Sequence, residues 1–292
     1  MQESLSLWIK GARPRTLPAA IAPVAVGTAC VSVEANATAN WSNAILALIV
    51  SLALQVAVNY ANDYSDGVRG TDDKRVGPLR LVGSGAKTAS AVKRAAFLSF
   101  GVAAIFGLIL ALLTSLWLLV VGVLCILAGW FYTGGKKPYG YFGLGEVFVF
   151  VFFGVVATTG TTFVIIEKLT ATSFTASLVV GALACALLAV NNLRDIDGDT
   201  LARKRTLAVR LGDKKARSFF VSLFVLALLA IFVLALSYPL ALLGLIGLSS
   251  AFASIKRVRS GAVGSELISV LSMTGRTQIL TAITLSIGLI LS

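Results

Sequence analysis

Nine long apolar stretches, 14–34, 43–62, 92–113, 115–132, 143–165, 171–192, 216–236, 239–255 and 266–291, follow one another with only short polar breaks. Each approaches the roughly 20 residues that an α-helix needs to cross a bilayer. Hydrophobic residues make up 57% of the chain and charged residues only 13%, about half the charge of a soluble domain (~25%). The expected fold is all-α, a polytopic membrane bundle of about nine transmembrane helices. Its weakest divisions are 92–132, broken only by Thr114 and Ser115, and the last segment, which contains Arg276.

The net charge of +12 does not by itself point to nucleic acid, because its distribution follows the spans. With the N-terminus in the cytoplasm, Lys10, Arg13 and Arg15 lie inside. So do the basic residues from Arg69 to Arg94, Lys136 and Lys137, those from Arg194 to Arg217, and Lys256, Arg257 and Arg259. Only Lys168 falls in an outer loop, which is the positive-inside pattern. The chain is therefore expected in the plasma membrane of a bacterium, with its N-terminus and polar loops cytoplasmic and no nucleic-acid partner. The first span follows a polar start with Pro14 and lacks a small-residue cleavage pattern, so it reads as a retained span rather than a signal peptide.

There is no histidine, and the three cysteines (Cys30, Cys125, Cys185) stand far apart in apolar spans. Histidine-activated nucleophiles, histidine metal ligands and a disulfide framework are all excluded. Carboxylate, lysine and tyrosine remain. No linker or soluble domain interrupts the chain, so 1–292 reads as a single membrane domain whose longest polar connections run from about 63 to 91 and from about 193 to 215.

Seven of the thirteen acidic residues fall in those two connections: Asp63, Asp66, Asp72 and Asp73, then Asp195, Asp197 and Asp199. Asparagines precede both groups, Asn62 before the first and Asn191 and Asn192 before the second. Carboxylates grouped at a membrane boundary repel one another and need a compensating cation. If the second span continues as helix, Gln55, Asn59, Asp63 and Asp66 share one face at i, i+4, i+8 and i+11. Asp195 and Asp199 are i, i+4 partners. Oxygen-only ligands of this kind suit Mg²⁺ completed by substrate phosphate oxygens. Basic residues follow each group, Lys74, Arg75 and Arg80 after the first and Lys204, Arg205 and Arg210 after the second; they suit a diphosphate. Asp73, Asp197 and Asp213 read as helix-end and turn residues.

Asn62-Asp63-Tyr64-Ser65-Asp66-Gly67, Arg69-Gly70-Thr71-Asp72, Tyr132-Thr133-Gly134-Gly135, Asn191-Asn192-Leu193-Arg194-Asp195 and the run from Lys204 to Gly212 together resemble the UbiA superfamily of intramembrane aromatic prenyltransferases. The likeness rests on the two aspartate motifs and extends over nearly the whole chain, and these stretches, with Arg13 to Pro18 and Pro138 to Tyr141, resemble the branch that prenylates dihydroxynaphthoate. The resemblance implies a nine-helix fold and transfer of a polyprenyl chain from polyprenyl diphosphate to 1,4-dihydroxy-2-naphthoate, with CO₂ and diphosphate released. It implies Asp63, Asp66, Asp195 and Asp199 as Mg²⁺ ligands, with Lys204 and Arg205 on the diphosphate. The broad superfamily pattern has an aspartate where this chain has Gly70, which makes Asp72 the third ligand of the first motif. Asn59, Asn62, Arg69, Lys74, Asn191, Asn192 and Arg210 complete the candidate substrate-binding set. Arg15 is a candidate for the aromatic carboxylate or a plain topology anchor, and Tyr139 a candidate for the ring pocket or an interfacial tyrosine. Glu146 and Arg276, charged within spans, are functional candidates or a structural pair.

Other acceptors, such as 4-hydroxybenzoate or homogentisate, share the metal motifs. A secondary transporter would place paired acids near the bilayer midplane rather than at the helix ends. A CDP-alcohol phosphotransferase is disfavoured because Asp197-Gly198 stands one residue too far from Ala202-Arg203.

Overall fold

The computed structural model describes residues 2–34, 38–71 and 79–292, with side chains from Leu5 onward. A short helix α1 (Gln2–Ala12) leads through a 3₁₀ turn at Pro14–Thr16 into α2 (Pro18–Cys30), and the two bend by 53°. Pro14 and Pro18 occupy first-turn positions, where a missing N–H costs nothing. Next come α3 (Ser42–Val68), α4 (Ala89–Leu113) and α5 (Leu118–Phe131). The fifth rod comprises α6 (Gly145–Val149), a π-helical stretch Phe150–Val156, and α7 (Ala157–Ile166). Then follow α8 (Ala171–Arg194), the short α9 (Ile196–Leu201) and α10 (Leu207–Ala235). A 3₁₀ turn at Pro239–Leu243 opens a bent rod of α11 (Gly244–Ser249) and α12 (Ala251–Arg259), and α13 (Glu266–Ile290) ends the chain.

All nine apolar stretches are thus helical, and no strand occurs among the described residues. Five rods (α3, α4, α6–α7, α8 and α10) are long and apolar enough to cross a membrane, or seven if the two bent pairs each count as one span. The protein is a multi-pass membrane protein. The break at Thr114 and Ser115 is real: α4 stops at Leu113, and Thr114 returns its hydroxyl to the Leu110 carbonyl. The second stretch does not end at 62 as its apolarity suggests; α3 runs on to Val68, carrying Asp63 and Asp66 on helical backbone.

Helix α8 is the hub. In its apolar window 78% of residues are buried inside the protein, against 28% for α3 and α4. Ala176, Ala182, Ala184 and Ala186 along it are small enough to let α2, α10, α13 and the π-helical stretch approach. A Cβ on Gly154 would stand 2.5 Å from the Gly181 Cα, so these glycines bring the π-helical stretch against α8. Gly27 does the same for α2 against α7: a Cβ there would meet the Thr158 carbonyl oxygen at 2.4 Å. Outward-facing Leu98, Ile105, Leu112 and Val120 are exposed, as lipid-facing residues are.

Gly27→Val is expected to destabilise by about 1–3 kcal/mol through overpacking. Gly101→Ala, where nothing lies within 4 Å of the added Cβ, is expected to be neutral or stabilising by up to ~1 kcal/mol. Thermal unfolding of both variants in detergent checks the pair.

Candidate active site

A large cavity of about 800 Å³ opens between the polar ends of α3, α8 and α9. It extends past Leu54, Val50 and Ala47 on α3 to Leu110, Leu118 and Val164 at the far ends of α4, α5 and α7. Ala47 to Asp66 on one straight helix spans roughly 28 Å. The inner walls are hydrocarbon and the mouth is polar, as the spacing of Asn and Asp along α3 requires.

Asp66 is the centre of the mouth. It is buried, and its Oδ1 accepts a hydrogen bond from the Tyr141 hydroxyl at 2.8 Å and faces the Lys204 Nζ at 3.1 Å. The Arg80 guanidinium stands 3.8 Å from Oδ2. Lys204 also faces Asp199 Oδ1 at 3.9 Å and lies over the Tyr141 ring at 4.7 Å. One ammonium therefore stands between two carboxylates that come from opposite halves of the chain. Burial, and then the Asp66 carboxylate, push the Tyr141 phenol above its ordinary pKa, so it remains a proton donor at neutral pH.

The second acidic group is a helical turn, with the Asp199 amide donating to the Asp195 carbonyl at 2.8 Å, and both side chains line the cavity. Arg194 grips the Asp195 carboxylate with two hydrogen bonds of 2.7 Å and also holds Asn191 Oδ1 at 2.9 Å. The Thr206 hydroxyl, which caps α10, reaches Asp199 Oδ2 at 3.4 Å. Asp197 is exposed at the rim, and Asp213 pairs with Arg217 one turn along α10, in keeping with their helix-end reading.

The structure brings some of the expected residues to the cavity and places others away from it. The polar stripe of α3 that faces the cavity is Gln55, Asn59, Asn62 and Asp66, and Asp63 lies off it. Asp63 is fully buried and accepts the backbone N–H groups of Leu81 and Val82 at 2.8 and 3.0 Å, so it clamps the connection after α3. Arg69 is also turned away; it is exposed, donates to the carbonyls of Thr133 and Gly135, and lies over the Tyr141 ring. Arg205 and Arg210 are exposed outside the cavity, with Arg210 Nε donating to the Arg205 carbonyl at 3.2 Å. Arg15 is likewise exposed outside it, whereas Arg13 lines it. Asp72 and Lys74 lie outside the described residues.

The other asparagines hold the mouth together. Asn59 donates to the Ala12 carbonyl and Thr16 hydroxyl, Asn62 accepts from Thr133, and Asn192 donates to Glu146 at 2.9 Å. Glu146 is thus paired with Asn192, and Arg276 is exposed elsewhere. Tyr139 lines the cavity, stacks on Phe148 at 3.9 Å and 23°, and donates to the Ala128 carbonyl. Arg13, Thr133 and Glu146 are site or supporting residues whose spacing carries no signal of its own, since each is brought in by a separate helix.

Gly70 has a structural reason to replace an aspartate. It ends α3 at φ 70°, where its amide returns to the Gly67 carbonyl at 3.3 Å, and a side chain there would be strained. Among the described residues, no three carboxylates converge to form a closed metal cage. Asp66 and Asp199, already sharing one cation, are the pair that fits a divalent ion whose remaining ligands are water and phosphate oxygens.

Asp63→Asn should lower the stability of the metal-free protein by roughly 1.5–3 kcal/mol, because a carboxylate accepting two buried N–H bonds is replaced by an amide. Thermal unfolding in EDTA reads this, and an unchanged transition would contradict the clamp.

The family model described as "UbiA prenyltransferase family" matches residues 20–266. The chain is 49% identical over 280 residues to the 1,4-dihydroxy-2-naphthoate octaprenyltransferase of Mycobacterium tuberculosis, covering 96% of this chain and 95% of that one. It is 35% identical to the Escherichia coli protein of the same name, covering 98% and 95%. A UbiA homologue from Archaeoglobus fulgidus, bound to GPP and Mg²⁺, has the same fold at a TM-score of 0.70 and 13% identity, over 98% of this chain and 99% of that one. The apo UbiA homologue of Aeropyrum pernix K1 is similar at 0.68 and 16%, over 94% and 97%. The chain belongs to the UbiA prenyltransferase family, and it is an intramembrane prenyltransferase.

Proposed function

We propose that this chain transfers a polyprenyl group from polyprenyl diphosphate to 1,4-dihydroxy-2-naphthoate, giving demethylmenaquinone in its quinol form, for menaquinone biosynthesis. The single domain 1–292 lies in the bacterial plasma membrane with its N-terminus and the 63–91 and 193–215 connections in the cytoplasm. The observation that carries the reading is the Asp66–Lys204–Asp199 bridge at the mouth of a long hydrocarbon cavity. The near-full-length likeness to two naphthoate octaprenyltransferases supports the acceptor.

Asp66 and Asp199 would hold Mg²⁺, which when bound would supply positive charge to stabilise the departing diphosphate. Arg80 and Lys204 stand beside Asp66 and place fixed positive charge where the departing diphosphate collects negative charge. The apolar walls along α3, α4, α5 and α7 seat the prenyl tail and exclude water from the allylic carbon. Tyr139 and Tyr132, lining the cavity below the mouth, offer π-faces to the carbocation left when the C–O bond breaks. The ring carbon that bears the carboxylate supplies the electron pair for the new C–C bond. The ring carboxylate then leaves as CO₂, and its bonding electrons restore the aromatic ring. The chain needs no histidine for this, because the electrofuge is CO₂ and not a ring proton. Arg13, in the left-handed region at φ 53° and lining the cavity, is the cation best placed to hold the carboxylate before it leaves.

Purified protein given Mg²⁺, a polyprenyl diphosphate and a panel of aromatic acids is expected to form prenylated naphthoquinone from dihydroxynaphthoate alone. Asp199→Asn should cut turnover by about 10²-fold or more, and EDTA should abolish it. Product from 4-hydroxybenzoate or homogentisate at a comparable rate would overturn the acceptor assignment, and uptake into liposomes without product would favour a transporter.

A further inference from the structure

On the outer surface, away from the cavity, Arg15 and Arg276 share a second pocket of about 270 Å³. They come from distant parts of the chain, the 3₁₀ turn before α2 and the middle of α13. Gly275 brings them together: a Cβ there would lie only 3.3 Å from the Arg15 carbonyl oxygen. Arg276 sits ten residues into the 25-residue helix α13, roughly 15 Å along it, so its charge lies well inside the helix rather than at its end. Ser272 shares the rim, and Pro18, Ile279 and Leu280 form an apolar floor. The lining includes no carboxylate. Among the described residues, neither guanidinium is recorded in a hydrogen bond or ion pair.

Two like charges facing one pocket repel each other, and an anion between them removes that repulsion. Guanidinium forks match phosphate oxygens bidentately. The same face of α13 continues the pattern one, two and three turns on, with Leu280, Ile283 and Ile287 at i+4, i+7 and i+11 from Arg276. Ile283 and Ile287 are 48% and 45% exposed, although they lie mid-helix. The stripe is polar at Ser272 and Arg276 and hydrocarbon beyond, the profile of a lipid with a phosphate head and an acyl tail. We infer that Arg15 and Arg276 form a binding site, separate from the catalytic cavity, for the phosphate headgroup of an anionic phospholipid whose acyl chain lies along α13.

The test uses the full chain in neutral detergent with EDTA, with lipid binding read by native mass spectrometry and by thermal unfolding. Four probes are compared: dioleoylphosphatidylglycerol, dioleoylphosphatidylcholine, inorganic phosphate and farnesyl diphosphate. Phosphatidylglycerol is expected to stay bound and raise the unfolding temperature, while phosphatidylcholine and phosphate do neither. Arg276→Gln and, as an independent variant, Arg15→Gln should each weaken phosphatidylglycerol binding at least tenfold while keeping a cooperative transition in phosphatidylcholine. Binding within twofold of wild type in both variants would overturn the site, as would equal binding of phosphatidylcholine. Loss of farnesyl diphosphate binding with phosphatidylglycerol unaffected would also overturn it, reassigning the pocket to the prenyl substrate.

Discussion

Two carboxylates at the edge of a hydrocarbon cavity must share positive charge, and the rest of the mouth is built to satisfy that demand. Asp66 and Asp199 arrive from α3 and α9, and the single positive charge of Lys204 stands between them from the connection that follows α9. Removing any of these charges would leave the others uncompensated in a poorly solvated place. Tyr141 donates to Asp66 Oδ1, and the Arg80 guanidinium adds positive charge 3.8 Å from Oδ2. The Arg205 amide, bonded to the Tyr141 carbonyl at 3.0 Å, ties the two halves together just outside. An ammonium held between two acids is also a placeholder for a more highly charged ion, and freeing Lys204 for phosphate oxygens is the natural consequence of replacing it.

That mouth depends on a scaffold of small residues. The alanines of α8 and the Gly154–Gly181 and Gly27–Thr158 approaches let rods pack closely without a hydrophobic driving force between them. The π-helical stretch Phe150–Val156 opposes α8 where Phe152 and Phe153 line the cavity, and local widening of a helix is a recurrent feature of functional sites. Polar helix ends therefore meet at one side while the cavity continues through the hydrocarbon to the other.

Much of this was legible in the sequence. All nine apolar stretches are helical, since helix satisfies the backbone hydrogen bonds that lipid cannot, and the Asn/Asp groups marked the mouth because few other polar residues interrupt the chain. Phase was harder. Helix α3 presents Asn62 and Asp66 to the cavity and turns Asp63 behind, a rotation that depends on how α3 meets α4 and the Leu81–Val82 backbone. Arg13 and Arg15 exchange their expected places for a similar reason, since the left-handed backbone at Arg13 redirects its side chain. Arg69, Arg205 and Arg210 carried the right charge in the right segment, but a tertiary hydrogen bond to the Thr133 carbonyl took Arg69 elsewhere and a local one to the Arg205 carbonyl holds Arg210. Spacing reports which residues share a segment; only packing decides which of them face the substrate.

The most direct test of the account is calorimetric binding of an unreactive prenyl thiolodiphosphate with and without Mg²⁺. It is measured on wild type, Asp66→Asn, Asp199→Asn and Asp63→Asn. The account predicts that the first two variants lose the Mg²⁺-dependent part of binding while Asp63→Asn keeps it. Loss in Asp63→Asn with Asp66→Asn and Asp199→Asn unaffected would contradict it.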